Sequence, residues 1–257
     1  MTHRRVAVVL VVAMVGVLGL SGQAYAATEA VSPNWAGAVI AGNTFDGAHA
    51  SFIVPNTVCS KPGSQIAIWA GVDGGASYNQ NELLQVGIRR NCTRGNQGPW
   101  TGIWSVDPSH LGNTLPQSTF SANSGDLMYE FVQDQHGGKV AFELYDQTRQ
   151  EQVVFTEPYA GLQGDDSAEC IVEDPILAKT GREGSLSKFA PIVFSQCVGT
   201  ALTGHGTTDA CNISQESACV PGSSVVINSM ATKRFERAAA SDPLPSSPNM
   251  TLTWMHA

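Results

Sequence analysis

The sequence predicts an all-β fold, a sandwich or a barrel, and three observations carry that prediction. Short apolar runs recur at close intervals through the 257-residue chain. Turn residues separate nearly all of them, and few segments have the three-to-four-residue periodicity of a helix. No repeat, linker or low-complexity tract divides the sequence, so a single domain is the economical reading.

The elements are expected in the following order. Residues 1–26 form no part of the fold. The basic start Met1-Thr2-His3-Arg4-Arg5, the apolar run Val6 to Leu20 and the small-residue pattern Ala24-Tyr25-Ala26 describe a secretory signal peptide. The apolar run is short for a membrane span, and no later stretch is apolar enough to be one. The domain is then 27–257. Strands are expected at Trp35 to Ile40, Ala48 to Val54, Ile66 to Val72, Leu83 to Ile88 and Thr101 to Val106. Further strands are expected at Leu127 to Gln133, Val140 to Tyr145, Gln152 to Thr156 and Ala168 to Glu173, with Asp146-Gln147-Thr148-Arg149 as a hairpin turn. Pro191 to Val198, Val225 to Met230 and Thr251 to Met255 complete the set. Ala231 to Ala240 has room for one helical turn, and Ser241 to Pro248 reads as a Pro/Ser loop.

Composition narrows the function. Without Arg4 and Arg5, 12 basic residues face 22 acidic ones, a net charge of −10. Such an acidic surface argues against nucleic acid and anionic membranes as partners. It also suits an acidic medium, where protonated carboxylates leave few cations to repel one another; ordinary solubility of an exported protein accounts for it equally well. All six cysteines (Cys59, Cys92, Cys170, Cys197, Cys211, Cys219) lie after the signal peptide. In an oxidising compartment they imply up to three disulfides and no free thiol, with connectivity left open beyond the observation that Cys211 and Cys219 can close a small loop. No Cys-x-x-Cys or histidine cluster has metal-ligand spacing, so neither a metal nor a cofactor is expected.

The chemistry centres on Gln85. Alternation divides Ile66 to Ile88 into two faces. Ile68, Ala70, Val72, Leu84, Val86 and Ile88 make a wholly apolar face. Ala67, Trp69, Gly71, Leu83, Gln85 and Gly87 make the other, with an aromatic, an amide and open space. Trp35, Trp69 and Gln85 each have a glycine two residues on, which marks close approach of either a ligand or packed tryptophans. In Ser167-Ala168-Glu169-Cys170-Ile171-Val172-Glu173-Asp174-Pro175, Cys170 and Val172 point inward, while Glu169, Ile171 and Glu173 share the outward face. A carboxylate there serves as acid, base or nucleophile if a cleft surrounds it, and is merely solvated if not.

Four motifs in this order resemble a known family: Asn34-Trp35-Ala36-Gly37-Ala38, Trp69-Ala70-Gly71-Val72-Asp73-Gly74, Leu84-Gln85-Val86-Gly87 and Glu169-Cys170-Ile171-Val172-Glu173-Asp174. The chain is similar to the glutamic peptidases called eqolisins, of the scytalidoglutamic-peptidase type. Phe189-Ala190-Pro191-Ile192-Val193-Phe194 and Val225 to Asn228 extend the likeness over most of the domain. The resemblance implies a β-sandwich of two antiparallel sheets, concanavalin-like or jelly-roll-like. It also implies a secreted, acid-acting endopeptidase that is insensitive to pepstatin and acts as a monomer on polypeptide substrates. Gln85 and Glu173 match the family's catalytic pair; Glu169 does not. Trp35, Trp69 and Asp73 fall on residues beside the site, and the tryptophans are expected as walls holding an extended peptide. Two acidic positions of the family appear as Ser105 and Arg89, and only a few residues separate Ala26 from Trp35 where a propeptide would lie.

The dyad makes physical sense. Glu173 as a carboxylate takes a proton from water and returns it to the leaving nitrogen, and the Gln85 amide donates to the developing oxyanion. A glutamate reference pKa of about 4.3 leaves Glu173 ionised in mild acid without large tuning. Two rivals remain: a glycoside hydrolase pairing Glu173 with Glu82 or Glu169, and a non-catalytic carbohydrate-binding module that needs Trp35 and Trp69 alone.

Overall fold

The computed structural model describes residues 28–41, 45–59, 61–74, 83–93, 96–106, 112–159, 167–177, 182–183, 185–203, 206–212, 224–231, 236–240 and 249–255. The signal-peptide region, Glu82 and Cys219 lie outside them. The described residues are strand, turn and loop, and no helix occurs among them.

Two layers stand face to face. The first sheet runs through Thr28–Ser32, Ser224–Ala231, Trp35–Ala41, Ser167–Glu173, Ser64–Val72, Leu84–Thr93 and Asn96–Ser105, each strand bonded to the next. The second runs through Gly206–Asn212, Ile192–Thr203, Gly47–Ile53, Leu127–Asp134, Lys139–Asp146 and Glu151–Pro158. Glu236–Ala240 and Met250–Trp254 carry the hydrogen-bond ladder from one layer to the other at one edge. Nearly every pairing is antiparallel; the Thr28–Ser32 strand lies parallel to Ser224–Ala231.

Alternation builds the core as the sequence reading expects. Ile68, Ala70, Val72, Leu84, Val86 and Ile88 have no exposed surface and meet Ala50, Phe52, Met128, Phe142 and Phe194 of the second layer in one cluster. One charged side chain intrudes. Glu130, between Met128 and Val132, has no exposed surface and reaches the backbone of Ala70 in the first sheet. Its burial holds the carboxyl pKa well above the ordinary range.

Two disulfides fix the layers. Cys59–Cys92 ties the loop before Ser64–Val72 to the Gln85 strand, and Cys170–Cys197 joins the Glu173 strand to the opposite sheet. Cys211 is disulfide-bonded as well, and no cysteine is free among the described residues.

One expected element differs over its described residues. Of the stretch allowed a helical turn, Ala231 to Ala240, residues 232–235 lie outside the described ones, and Glu236–Ala240 is a strand that pairs with Met230 and Ala231 and with Leu252 to Trp254. Alanine favours helix in isolation, but here two flanking edges supply partners for its backbone and Ala238 is fully buried.

Candidate active site

The outward face of the first sheet carries the candidate residues, and strand register arranges them in three rows. One row is Trp35, Glu173, Ala67, Arg89 and Thr101; the next is Gly37, Ile171, Trp69, Gly87 and Ile103; the third is Val39, Glu169, Gly71, Gln85 and Ser105. Val39, Ala67, Trp69, Leu83, Ile103 and Ile171 form a small second apolar cluster on this face, with Trp35 packed against it. The face is therefore a floor with its own packing, on which a few polar side chains stand.

Glu173 is the most elaborately held of these. It ends its strand, partly buried. The Trp69 Nε1–H donates to its Oε2 at 2.9 Å, and the Asn34 Nδ2–H donates to Oε1 at 3.2 Å. The Trp35 side chain donates to the same carboxyl. Asn34 is fixed in turn, because its carbonyl accepts the backbone N–H of Asp174 at 2.9 Å. Burial is the largest influence on the carboxyl and pushes its pKa from 4.5 up to about 7; the three donors pull the other way, and the neighbouring charge of Asp174 adds to the rise. The reference value assumed from sequence therefore does not apply: the group titrates near neutrality.

Trp69 explains both the hold on Glu173 and the glycines. Its indole lies over Gly71, where an added Cβ would come within 2.7 Å of Cζ3, and its Cβ occupies the space beside Gly87, where an added Cβ would come within 2.5 Å. At Gly71 and Gly87 packing of a tryptophan is what is seen; at Gly37 an added Cβ would instead come within 2.1 Å of the Cys170 carbonyl oxygen. The ring spans the interval from Gly71, which sits opposite Gln85, to the carboxyl of Glu173. Trp35 meets it edge-on, with ring centroids 4.9 Å apart. Trp69 has no exposed surface. Buried under its neighbours, it supports the carboxylate from below and presents no wall to a peptide; Trp35 keeps partial exposure.

Gln85 stands on the same face, partly exposed, and its Oε1 has no hydrogen-bond partner among the described residues. It makes no direct bond to Glu173: one strand, Ser64–Val72, and its Trp69 indole separate them, so a molecule bound on the face is needed to connect them. Ser105, fully enclosed, sits opposite Gln85 in the acidic position of the resemblance. Asp73 is buried at the strand end in a left-handed conformation, φ 60°, with its N–H bonded to the Ser167 carbonyl at 3.0 Å. Glu169 shares the Gln85 row but has no exposed surface, and the Ser167 hydroxyl donates to its Oε1. A sugar cannot reach it, which removes it as the second carboxylate of a glycosidase.

Two residues had no assigned role in sequence. Asn34 was visible only as the neighbour of Trp35. Arg89, noted as a departure, lies in the Glu173 row. Burial lowers its pKa while the Glu173 charge raises it, and its Nη2 donates to Thr114 Oγ1 at 2.7 Å.

Known proteins place this arrangement. Residues 33–233 match the peptidase A4 family. Among solved structures, scytalido-glutamic peptidase bound to a transition state analog inhibitor superposes with a TM-score of 0.65 at 18% identity, covering 88% of this chain and 100% of that one. SCP-B, an eqolisin in complex with the tripeptide Ala-Ile-His, gives 0.58 at 17% identity over 88% and 100%. The aspergilloglutamic peptidase from Aspergillus niger gives 0.53 at 17% identity over 75% and 99%. No curated protein matches the chain.

Proposed function

The chain belongs to the peptidase A4 family, and from that membership we propose that it is an endopeptidase in which Glu173 moves the proton and Gln85 holds the oxyanion. The observation that carries this reading is the Glu173 carboxyl, gripped by Asn34, Trp35 and Trp69 on an otherwise apolar floor. Three donors to one carboxylate fix its direction and leave its remaining lone pairs for a water molecule.

The reaction follows from these groups. Ionised Glu173 removes a proton from water, and the water oxygen attacks the scissile carbonyl carbon. The carbonyl oxygen gains negative charge and accepts a hydrogen bond from the Gln85 amide. Protonated Glu173 then gives its proton to the nitrogen as the C–N bond breaks, releasing an amine and a carboxylic acid. No covalent intermediate forms. Gln85 does not titrate, so the pH dependence on the acid side belongs to Glu173. With its pKa at about 7, the ionised fraction falls about tenfold for each pH unit below neutrality. The working range is therefore mildly acid to neutral, higher than a glutamate at its reference value would give.

Secretion of the mature domain fits the disulfides, which persist in oxidising compartments. A monomer acting on unfolded polypeptides without nucleic acid or membrane is the form we propose. The test is cleavage of casein, with polysaccharides as control, by wild-type protein and Glu173→Gln from about pH 3 to 8. Casein cleavage lost in the variant supports the reading; unchanged cleavage, or polysaccharide turnover instead, overturns it.

A further inference from the structure

The Arg89 guanidinium is a cation on the reaction floor with capacity to spare. Arg89 is aligned with Glu173 across Ala67, a small side chain buried in the floor. Two strand spacings put the two backbones roughly 10 Å apart. Nη2 bonds Thr114, which sits opposite Ile103 on the far side of Asn96–Ser105, so the guanidinium is held one row toward Gln85 and on the side of the floor away from the Glu173 strand. It thus borders the floor on the Gln85 strand's side, where it still feels the Glu173 charge. Its Nε is buried and has no hydrogen-bond partner among the described residues. Arg89 is not among the arginines that form a salt bridge there.

A buried N–H donor without a partner is costly, and a planar guanidinium recognises carboxylates through paired donors. We propose that Arg89 is a substrate-binding residue that selects peptides carrying a carboxylate close to the scissile bond. The inference rests on the endopeptidase reading and supplies its specificity. Nε and the free edge of the guanidinium receive the carboxylate, while Thr114 holds the far side of the group. The carboxylate comes either from an Asp or Glu side chain or from a nearby chain terminus. The chemistry is the same, and the test separates them.

The experiment uses internally quenched peptides that differ at one position on either side of the cleaved bond: Glu, Gln or Lys, each with a free or amidated C-terminus. They are assayed at about pH 6, where a substrate carboxylate is ionised, with wild type, Arg89→Gln, Arg89→Lys and Arg89→Glu. Wild type is expected to prefer Glu over Gln by about tenfold or more in kcat/KM at one position, with the preference shrinking in high salt. Arg89→Gln loses the preference, its ratio of kcat/KM for Glu over Gln peptides falling to about one. Arg89→Lys keeps part of it, and Arg89→Glu shifts it toward Lys. If the free C-terminus rather than the side chain gives the preference, the terminus is the ligand. Equal cleavage of Glu and Gln peptides by wild type overturns the proposal, as does a Glu preference that survives in Arg89→Gln. If no peptide is cleaved, the endopeptidase reading fails; binding of the same peptides to Glu173→Gln protein and to its Arg89→Gln double variant then decides the role of Arg89 separately.

Discussion

Replacing Glu173 with Gln should abolish turnover and at the same time stabilise the protein, by an amount that depends on pH. The carboxyl pKa rises from 4.5 to about 7 on folding, which corresponds to about 3 kcal/mol. A raised pKa means that the folded protein keeps a proton the unfolded chain has released. The contribution is full below about pH 4.5 and is lost as pH rises through about 7. Gln does not titrate, so the variant lacks this loss. Its stability relative to wild type should grow by about 3 kcal/mol between pH 4 and pH 8. For a domain of this size that is a relative gain in Tm of about 6–12 °C. The amide also changes the hydrogen bonds with Asn34, Trp35 and Trp69, but that offset is the same at every pH, so the slope is the diagnostic quantity. The assay is denaturant unfolding of both proteins at half-unit pH steps, alongside the acid limb of kcat/KM for wild type. A stability difference that stays flat from pH 4 to 8, or an acid limb near 4, would refute the raised pKa and with it the mildly acid to neutral working range.

Other outcomes follow from the same geometry. Gln85→Ala should lower kcat by about 100- to 1000-fold with little change in folding, since it removes a partly exposed oxyanion donor; steady-state kinetics with thermal melting checks it. Gln85→Glu should retain activity only at the acid end of the wild-type profile, where the new carboxyl is protonated and still donates; full activity at neutral pH would contradict the dyad. Pepstatin should inhibit poorly at concentrations that stop an aspartic peptidase, because the proposed reaction is carried by Glu173 and Gln85 and not by two aspartates. Glu130→Leu should stabilise the protein, with a gain that increases as pH rises above about 4.5, because the unfolded wild-type chain releases its proton there while the buried carboxyl still holds it; urea midpoints at pH 4 and 8 measure it. Breaking Cys170–Cys197 by a double Cys→Ala substitution should cost about 3–4 kcal/mol for a sequence separation of 27, measurable by the same unfolding curves.

The layered fold was legible because each strand of the first sheet separates its faces so cleanly. The run Ile68, Ala70, Val72 needs a core, and the rows on the other side follow once register is known. What pairing does at the edges was less legible. Glu236–Ala240 carries three consecutive alanines and becomes a strand only because neighbours offer it backbone partners, while Thr28–Ser32 pairs in parallel with a strand nearly 200 residues later. At the site, residue types pointed to Glu173 and Gln85, but not to how they are held. Asn34 matters through an amide that crosses to another strand, which no local pattern encodes. The burial of Trp69 depends on the Gly71 and Gly87 surfaces that receive it, so the same tryptophan could be read as a wall. The elevated pKa of Glu173 has the same origin: it comes from what surrounds the carboxyl after folding, and the sequence records only the carboxyl.

The bond from Trp69 to Glu173 also gives the protein an optical readout of its own chemistry. An indole 2.9 Å from a carboxyl that gains and loses charge near neutrality sits in an electric field that switches with the proton. Of the five tryptophans, Trp35 and Trp69 touch that group, while Trp100, Trp104 and Trp254 pack elsewhere. The emission of the first two should therefore follow the state of Glu173 without any added label. A fluorescence titration of wild type, with Glu173→Gln as the silent reference, converts the grip on the carboxylate into a direct signal of when the site is armed.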